Sequence, residues 1–400
     1  MGTQNKTLAC YATHLLRNYP LPKLILVKGQ GSYVWDAQGR RYLDFTMGIA
    51  SNTLGHCHPY WVRKVQEQAA SFVHCSNIFA HENQAFLARR LVERAGPGRL
   101  FFCNSGAEAN EALLKLTRLY GCRETGQEGK KYTILCAHNA FHGRTFGSMS
   151  ATPQAKIQKG YSPLLKGFAF GRLNDLQSFA NLIDEQTAAI FLETIQGEGG
   201  IHVAEPDFLR GIRKLCDDHG LLFLLDEVQC GLGRTGTFFA FEHSGIRPDA
   251  IAMAKGLGGG FPIGAIWVAE PYTDCFRPGS HGTTFGGSPL ACAAALAVLD
   301  VIENEYLLEA VEGNSRPWIE RLQKLAARFP DAVADVRGLG YLIGIALRDD
   351  PMRFAGRLCE KGLLAHIAGS NVVRFLPPLT ATSEELDQGA DIFEQVLYEW

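Results

Sequence analysis

The chain has no apolar run close to the roughly 18–20 residues that a membrane-spanning helix needs. It also has no basic block: 39 lysines and arginines stand against 41 aspartates and glutamates, a formal charge of −2. The opening residues lack the charged-then-apolar pattern of a secretory signal. These absences argue against a membrane protein, a nucleic-acid-binding protein and a secreted protein. We therefore expect a cytoplasmic protein with small-molecule partners.

Paired cysteine spacing is missing too. Eleven cysteines are scattered along the chain, and several lie inside apolar runs, among them Cys103, Cys136 and Cys292. This usage predicts buried thiols in a reducing compartment.

Clustered metal ligands are also missing. His56, Cys57 and His58 are close in sequence, but His138 and His142 stand apart from them. A metal site needs more converging ligands than this. We interpret these histidines as hydrogen-bonded loop residues and expect no metal.

What the chain does have is length and apolar content, with 400 residues and 46% hydrophobic residues. Strand and helix patterns alternate to about residue 305, which predicts a mainly parallel sheet covered on both faces. The pattern then changes, and Ser383 is expected to cap a last helix. The predicted division is an N-terminal segment over 1–48 packing with the small domain, a large domain over 49–307, and a smaller α+β domain over 308–400.

Residues 221–264 carry the strongest chemical signal. An apolar run, Leu221 to Leu225, ends at Asp226, and a second run from Ala250 ends at Lys255 beside a glycine-rich loop. Ligand-binding groups collect at such strand ends in open α/β sheets. A lysine there is either a solvated strand end or an amine that forms a Schiff base with an aldehyde cofactor. An acid and a lysine alone do not decide between the two.

A phosphate site is the missing part of that second interpretation. The strand from Leu100 to Cys103 is followed by a turn of small residues and by a helix beginning at Ala107. A helix start presents free N–H groups and a positive dipole end, which suits an anion. An ordinary strand-to-helix turn has the same pattern, so this turn alone leaves both alternatives open.

One glycine motif matches the pattern of a dinucleotide-binding site. Gly231 to Gly236 matches GxGxxG after a strand. A dinucleotide site needs a helix directly behind the glycines. A short aromatic stretch follows instead, so we reject the nicotinamide interpretation.

Seven short segments follow one another along the chain: SGAEA (105–109), AFHGRT (140–145), ETIQGEGG (193–200), LLDEVQCG (224–231), AKGLGGGFPIG (254–264), HGTTFGGSPLA (281–291) and VVRFLPPL (372–379). In this order they resemble the class III aminotransferases, which are fold-type-I pyridoxal-phosphate enzymes, and among these they are most similar to the acetylornithine aminotransferases. The resemblance covers nearly the whole chain and implies an α/β fold with a mainly parallel seven-stranded sheet.

The resemblance implies pyridoxal phosphate as the cofactor and assigns roles to single residues. Lys255 would bind it covalently and later move a proton, and Asp226 would pair with the ring nitrogen. Thr284 would reach the phosphate from a partner subunit, which implies a homodimer with shared active sites. The other cofactor contacts that it implies are Ser105, Gly106, Ala107, Phe141, Val228 and Gln229.

Substrate recognition, by the same resemblance, depends on two arginines. Arg144 would bind the carboxylate of the amino donor, and Arg374 would bind the α-carboxylate of 2-oxoglutarate. Glu198 would pair with Arg374 until the oxoacid arrives. The alternative for each arginine is a surface salt bridge worth roughly 0–1 kcal/mol. Thr283 and Tyr19 complete the predicted substrate contacts.

Departures from the family pattern bear on the donor. Thr194 stands where the family usually has proline, and we expect no group to be lost. Ile49 replaces a tyrosine of the ornithine enzymes and favours an acylated donor, whereas Tyr19 lies in a segment that resembles theirs. Thr283 replaces the serine often found in the acetylornithine enzymes.

We expect transfer of the ω-amino group of N-acetylornithine, or of a succinylated analogue such as N-succinylornithine or N-succinyldiaminopimelate, to 2-oxoglutarate, in arginine biosynthesis. The alternatives are ornithine or 4-aminobutyrate transamination and, more remotely, a non-catalytic regulatory relative that binds pyridoxal phosphate.

Overall fold

The computed structural model describes residues 3–400, with side chains from residue 6 onward. The strands are β1 (Leu26–Gln30), β2 (Tyr33–Asp36), β3 (Arg41–Asp44), β4 (Gly98–Cys103), β5 (Thr133–Ala137), β6 (Phe168–Gly171), β7 (Thr187–Glu193), β8 (Ile195–Gln196), β9 (His202–Val203), β10 (Leu222–Asp226), β11 (Ala250–Met253), β12 (Gly264–Ala269), β13 (Val333–Leu339), β14 (Leu342–Leu347), β15 (Leu363–Leu364), β16 (His366–Ala368) and β17 (Val372–Phe375).

The helical segments are α1 (Thr3–His14), α2 (Met47–Ala50), α3 (Pro59–Ser71), α4 (Glu82–Ala95), α5 (Gly106–Thr125), α6 (Phe146–Ser150), α7 (Ala155–Gln158), α8 (Leu176–Ala180), α9 (Pro206–His219), α10 (Pro289–Asn304), α11 (Leu307–Arg328), α12 (Pro351–Lys361) and α13 (Ser383–Tyr398). Of these, α2 is a single turn whose residues all have positive φ. Within residues 3–400, no helix combines the length and the apolar character needed to cross a membrane.

The largest sheet has seven strands in the order β4-β12-β11-β10-β7-β5-β6. β12 runs antiparallel to both of its neighbours, and the remaining pairs are parallel. All seven residues of β7 are buried, as expected for a strand covered on both faces. The expected mainly parallel seven-stranded α/β architecture is confirmed.

Helices cover the two faces of this sheet. On one face α5 buries Leu113 and Leu116 against the inward side chains of the strands. On the other, α4 buries Leu87 and Leu91, and α10 adds a nearly continuous buried surface of small residues. The sheet therefore has no solvated face, and its carboxyl edge is the part left open for a site.

The C-terminal part has its own sheet, in the order β13-β14-β17-β16, packed against α11, α12 and α13. The N-terminal strands β1 to β3 are antiparallel, and β15 pairs with β3 in parallel. The division into 1–48, 49–307 and 308–400 stays a prediction. The cap of α13 is Thr382 and not Ser383, because Thr382 and Glu385 form the reciprocal capping box.

Candidate active site

A cavity of about 430 Å³ lies at the carboxyl ends of the central parallel strands. The register of β7 and β10 sets Glu193 directly beside Asp226, and Asp226 is paired with Ala252 of β11 on its other side. Ten of the residues singled out from the sequence line it: Ser105, Gly106, Ala107, Phe141, Arg144, Glu198, Asp226, Val228, Gln229 and Lys255.

Asp226 is buried and held from three directions. Its Oδ2 accepts a hydrogen bond from Asn110 Nδ2 at 2.8 Å and lies 2.9 Å from His142 Nδ1. Its Oδ1 accepts the N–H of Val228 at 3.0 Å. The His142 ring stacks on Phe191, with centroids 4.0 Å apart. The carboxylate is therefore fixed in orientation, which suits it to pair with a cationic nitrogen.

Lys255 follows β11 at the bottom of the cavity with a left-handed backbone, φ +43°. A non-glycine residue in that region is strained, and such strain concentrates at functional sites. Burial lowers the pKa of its amine and nearby Arg374 lowers it further, although Glu198 and Asp226 oppose the shift. A lowered pKa leaves more of the amine neutral and nucleophilic.

Two further carboxyl groups lie beside Asp226. Glu193 is 7% exposed, and burial together with the charge of Asp226 raises its pKa well above the usual value. Burial raises the pKa of Glu227 to about 7, although its hydrogen bonds lower it. Glu227 accepts hydrogen bonds from the Thr194 hydroxyl at 2.8 Å and from the N–H groups of Ala240 and Phe241.

Arg374 lies in β17, an inner strand of the C-terminal sheet, and is fully buried. It does not line the cavity but contacts two residues that do, Glu198 and Gln229. Its Nη1 donates to Glu198 Oε1 at 2.7 Å, to Gln229 Oε1 at 2.9 Å and to the Gly197 carbonyl at 2.9 Å. Its Nε and Nη2 are buried without a hydrogen-bond partner among the described residues. Burial alone would raise the pKa of Glu198, but the charges of Arg374 and Lys255 outweigh it and lower that pKa.

The start of α5 forms one wall. Ser105 caps the helix by accepting the N–H of Glu108 at 3.2 Å. The first-turn N–H groups, those of Gly106 and Ala107, have no carbonyl within the helix to bond. A Cβ on Gly106 would lie 2.7 Å from Val228, so only glycine lets the two walls approach this closely. The arrangement can bind an anion.

The mouth differs from the bottom. Arg144 is exposed, has its guanidinium 5.8 Å from the Phe141 ring centre, and forms no hydrogen bond or ion pair with any residue from 6 to 400. Thr283 accepts from Asn104 at 3.3 Å and does not line the cavity. Thr284 is exposed and does not line it either.

Tyr19 is not brought to the cavity. It is 80% exposed and borders a separate hollow formed by residues 11–22. Of the other predicted substrate contacts, Arg144 and Glu198 line the cavity, and Arg374 and Thr283 each contact a residue that lines it.

Sequence reasoning missed Asn110, His142 and Glu193 as members of the site. We interpreted His142 as a hydrogen-bonded loop residue, and its Nδ1 is indeed bonded, but to Asp226 inside the cavity. Asn110 is one helical turn beyond the SGAE turn, on the buried face of α5, which was the available signal. Glu193 ends an apolar strand just as Asp226 does.

The cysteines, the possible metal ligands and the glycine motif lie as follows. All eleven cysteines are free, and Cys103, Cys136 and Cys292 are buried as predicted. Within the described residues 3–400, no group of three potential ligands could hold a metal ion. Gly231–Gly236 is followed by a short 3₁₀ segment, Ala240–Ser244, and not by the helix of a dinucleotide site.

A covered parallel sheet with a buried lysine, a fixed carboxylate and a helix-start anion site at its carboxyl edge defines a pyridoxal-phosphate-dependent enzyme. The chain belongs to the class III aminotransferase family, whose model, Aminotransferase class-III, matches residues 16–397. It is therefore a transaminase, acting on amino acids and oxoacids, with pyridoxal phosphate as its cofactor.

Named relatives agree with this. The chain is 47% identical to an acetylornithine aminotransferase of Caldanaerobacter subterraneus, over 96% of this chain and 98% of the relative. It is 44% identical to a succinylornithine transaminase of Yersinia pseudotuberculosis, over 94% and 92%. The crystal structure of the Toxoplasma gondii ornithine aminotransferase superposes with a TM-score of 0.96 at 31% identity, over 100% of this chain and 96% of that one.

Proposed function

We propose that this enzyme transfers the δ-amino group of N-acetylornithine to 2-oxoglutarate, giving the semialdehyde and glutamate. Relatives named for acetylornithine and succinylornithine, at 47% and 44% identity, support an N-acylated donor. The observation that carries the proposal is a pair of arginines. Arg374 is buried behind the lining residues Glu198 and Gln229 and has two nitrogens without a partner, and Arg144 lines the cavity, exposed and unpaired. Such a pair suits the two carboxylates of 2-oxoglutarate, and N-acetylornithine has one for Arg144.

The residues present fit pyridoxal phosphate. Ser105, Gly106 and Ala107 would hold its phosphate at the start of α5, where N–H groups are free. Asp226 would hold its ring nitrogen protonated, and Phe141 and Val228 would pack on the ring faces. When bound, the ring serves as the sink for the electrons left on the substrate carbon after proton removal.

Lys255 is proposed as the covalent anchor and as the group that moves the proton. Its amine lies in the cavity, and burial lowers its pKa in the direction that proton transfer near neutral pH requires. Gln229 would reach the ring hydroxyl, although here its Oε1 also accepts a hydrogen bond from Arg374.

Glu198 and Arg374 are proposed to act as a switch. While the donor is bound, Glu198 neutralises the buried guanidinium, because an unpaired buried charge is costly. An oxoacid carboxylate can replace Glu198 and also use the free Nε and Nη2, which suits bidentate binding. Arg144 would bind the donor carboxylate in the first half of the cycle.

We also propose a homodimer. Around Thr283, one surface of the single chain exposes large apolar side chains: Phe72, Val73, Ile78, Phe79 and Phe285. Exposed apolar patches of this kind are typical of subunit interfaces. A twofold partner seated there would bring its own Thr284 towards this cavity, as the family resemblance implies. The eleven free cysteines suit the proposed cytoplasmic location.

A donor panel tests the substrate. With 2-oxoglutarate as acceptor, we expect kcat/KM for N-acetylornithine or N-succinylornithine to exceed that for ornithine and for 4-aminobutyrate by at least tenfold. The displacement of Tyr19 from the cavity favours this order. A preference for free ornithine or 4-aminobutyrate would overturn the proposal. Sedimentation of the purified protein tests the dimer, and a monomer that is fully active would contradict the shared site.

A further inference from the structure

Glu193 links two loops that carry the recognition residues. Its Oε2 accepts the N–H of Phe141 at 3.0 Å, and its Oε1 accepts the N–H of Gly197 at 3.3 Å. The side chain is buried at the end of β7 and lines the cavity. One carboxyl group thus bridges loop 140–145 and loop 193–200.

Each loop leads directly to one side of the substrate site. Phe141 is three residues before Arg144, which the proposed function assigns to the outer carboxylate. The Gly197 carbonyl accepts Arg374 Nη1 at 2.9 Å, and Glu198 is the next residue. A Cβ on Gly197 would collide with Gln229, so this peptide has little room to shift. Moving Glu193 would therefore change the separation of the two arginines.

We propose that Glu193 is a positioning residue that sets the distance between the carboxylate sites of Arg144 and Arg374, and so selects the chain length of the dicarboxylic oxoacid. The inference rests on the proposed function, because it assumes that both arginines bind the acceptor. The donor product has left before the oxoacid binds in a ping-pong cycle, which frees Arg144 for the distal carboxylate.

The location of Glu193 supports a functional reason for keeping a carboxyl group there. A second acid beside Asp226 in a buried site is electrostatically unfavourable. Glu227, directly after β10, is also buried and accepts the backbone N–H groups of Ala240 and Phe241, outside both recognition loops. Its one contact with loop 193–200 is the Thr194 hydroxyl on Oε1, and a glutamine keeps that acceptor oxygen. It therefore provides a matched comparison.

The experiment measures kcat/KM of the holoenzyme for three oxoacids: 2-oxoglutarate, oxaloacetate with one carbon fewer, and 2-oxoadipate with one carbon more. In Glu193→Gln one acceptor oxygen becomes an N–H donor, which faces a backbone N–H. We expect the preference for 2-oxoglutarate over both neighbours to narrow by about tenfold, the size expected for a lost charged hydrogen bond. Glu227→Gln should leave the preference within twofold of the unsubstituted enzyme.

A second variant and a second measurement keep the test decisive. Glu193→Asp keeps the charge but is one methylene too short to bridge both loops, so it should narrow the preference as well. It also carries the test if Glu193→Gln does not fold. Amide hydrogen exchange should become faster in segments 140–145 and 193–200 of the Glu193 variants, and around residues 239–242 in Glu227→Gln.

An unchanged oxoacid preference in both Glu193 variants, or equal narrowing in Glu227→Gln, would overturn the inference. Failure of the unsubstituted enzyme to use 2-oxoglutarate with any donor would instead overturn the proposed function.

Discussion

Two regions of the cavity hold their arginines in opposite states. At the bottom, behind the lining side chains of Glu198 and Gln229, Arg374 is fully buried and pairs with Glu198 at 2.7 Å. At the mouth, Arg144 is exposed, with no ion pair to any residue from 6 to 400. Water can solvate a cation at the mouth, whereas a cation at the bottom must be paired. A substrate carboxylate that binds Arg374 must therefore replace the carboxylate of Glu198, whereas one that binds Arg144 replaces no anion of the protein.

The largest expected effect on activity comes from substituting Lys255, the amine that both half-reactions need. Lys255→Ala should lower kcat by at least about 10⁴-fold, because loss of a covalent catalytic residue costs this much or more. Single-turnover measurements should show both half-reactions falling together. Lys159→Ala, at an exposed lysine, is the control and should match the unsubstituted enzyme. If one half-reaction survives in Lys255→Ala, the two regions do not share this amine.

Breaking the pair at the bottom comes next. Arg374→Gln leaves Glu198 without its counter-ion, and we expect kcat/KM for 2-oxoglutarate to fall by roughly 10²–10³-fold, as for a broken buried ion pair. The donor half-reaction, measured without oxoacid, should fall much less. Arg213→Gln is the matched control, since the largely buried Arg213 pairs with Asp249 at 2.9 Å outside this cavity. Equal losses in both half-reactions would contradict the comparison.

The buried carboxyl group of Glu227 should also make the free energy of unfolding depend on pH. The pKa of Glu227 rises from 4.5 to about 7 on folding, so the folded protein holds this proton more tightly. The free energy of unfolding should therefore fall as pH rises from 4.5 to about 7, by up to about 3 kcal/mol from this group. Urea unfolding at several pH values should show a smaller fall in Glu227→Gln. Glu67→Gln, at an exposed carboxylate, is the control and should show the same pH dependence of unfolding as the unsubstituted enzyme. The same pH dependence in Glu227→Gln as well would contradict the contribution of Glu227.

The smallest expected effect on activity comes from a substitution of Arg144 at the mouth of the cavity. Arg144→Lys keeps the charge but loses the bidentate fork, so we expect KM for N-acetylornithine to rise about tenfold with little change in kcat. Because Arg144 is exposed, the free energy of unfolding should change by less than about 0.5 kcal/mol. Arg172→Lys is a control at another exposed arginine. A large loss of stability in Arg144→Lys would show that Arg144, like Arg374, makes contacts that the fold depends on, and would contradict the comparison.

Much of the site could be predicted from the sequence because the ends of strands are marked by short local patterns. An apolar run followed by Asp226, a second followed by Lys255, and a small-residue turn before α5 are all short-range patterns. The family resemblance then supplied the pairing of Glu198 with Arg374, which are 176 residues apart. Alternation of strands and helices was enough to predict the covered parallel sheet.

The sequence by itself determined which elements form and which chemical groups stand at their ends, because hydrophobic period and turn residues act over a few positions. Only the tertiary structure decided that Asn110 and His142 hold Asp226, that Glu193 bridges two loops, and that Tyr19 lies apart from the cavity. These contacts depend on strand register and helix packing between distant segments, and a hydrogen bond across 116 residues leaves no local pattern.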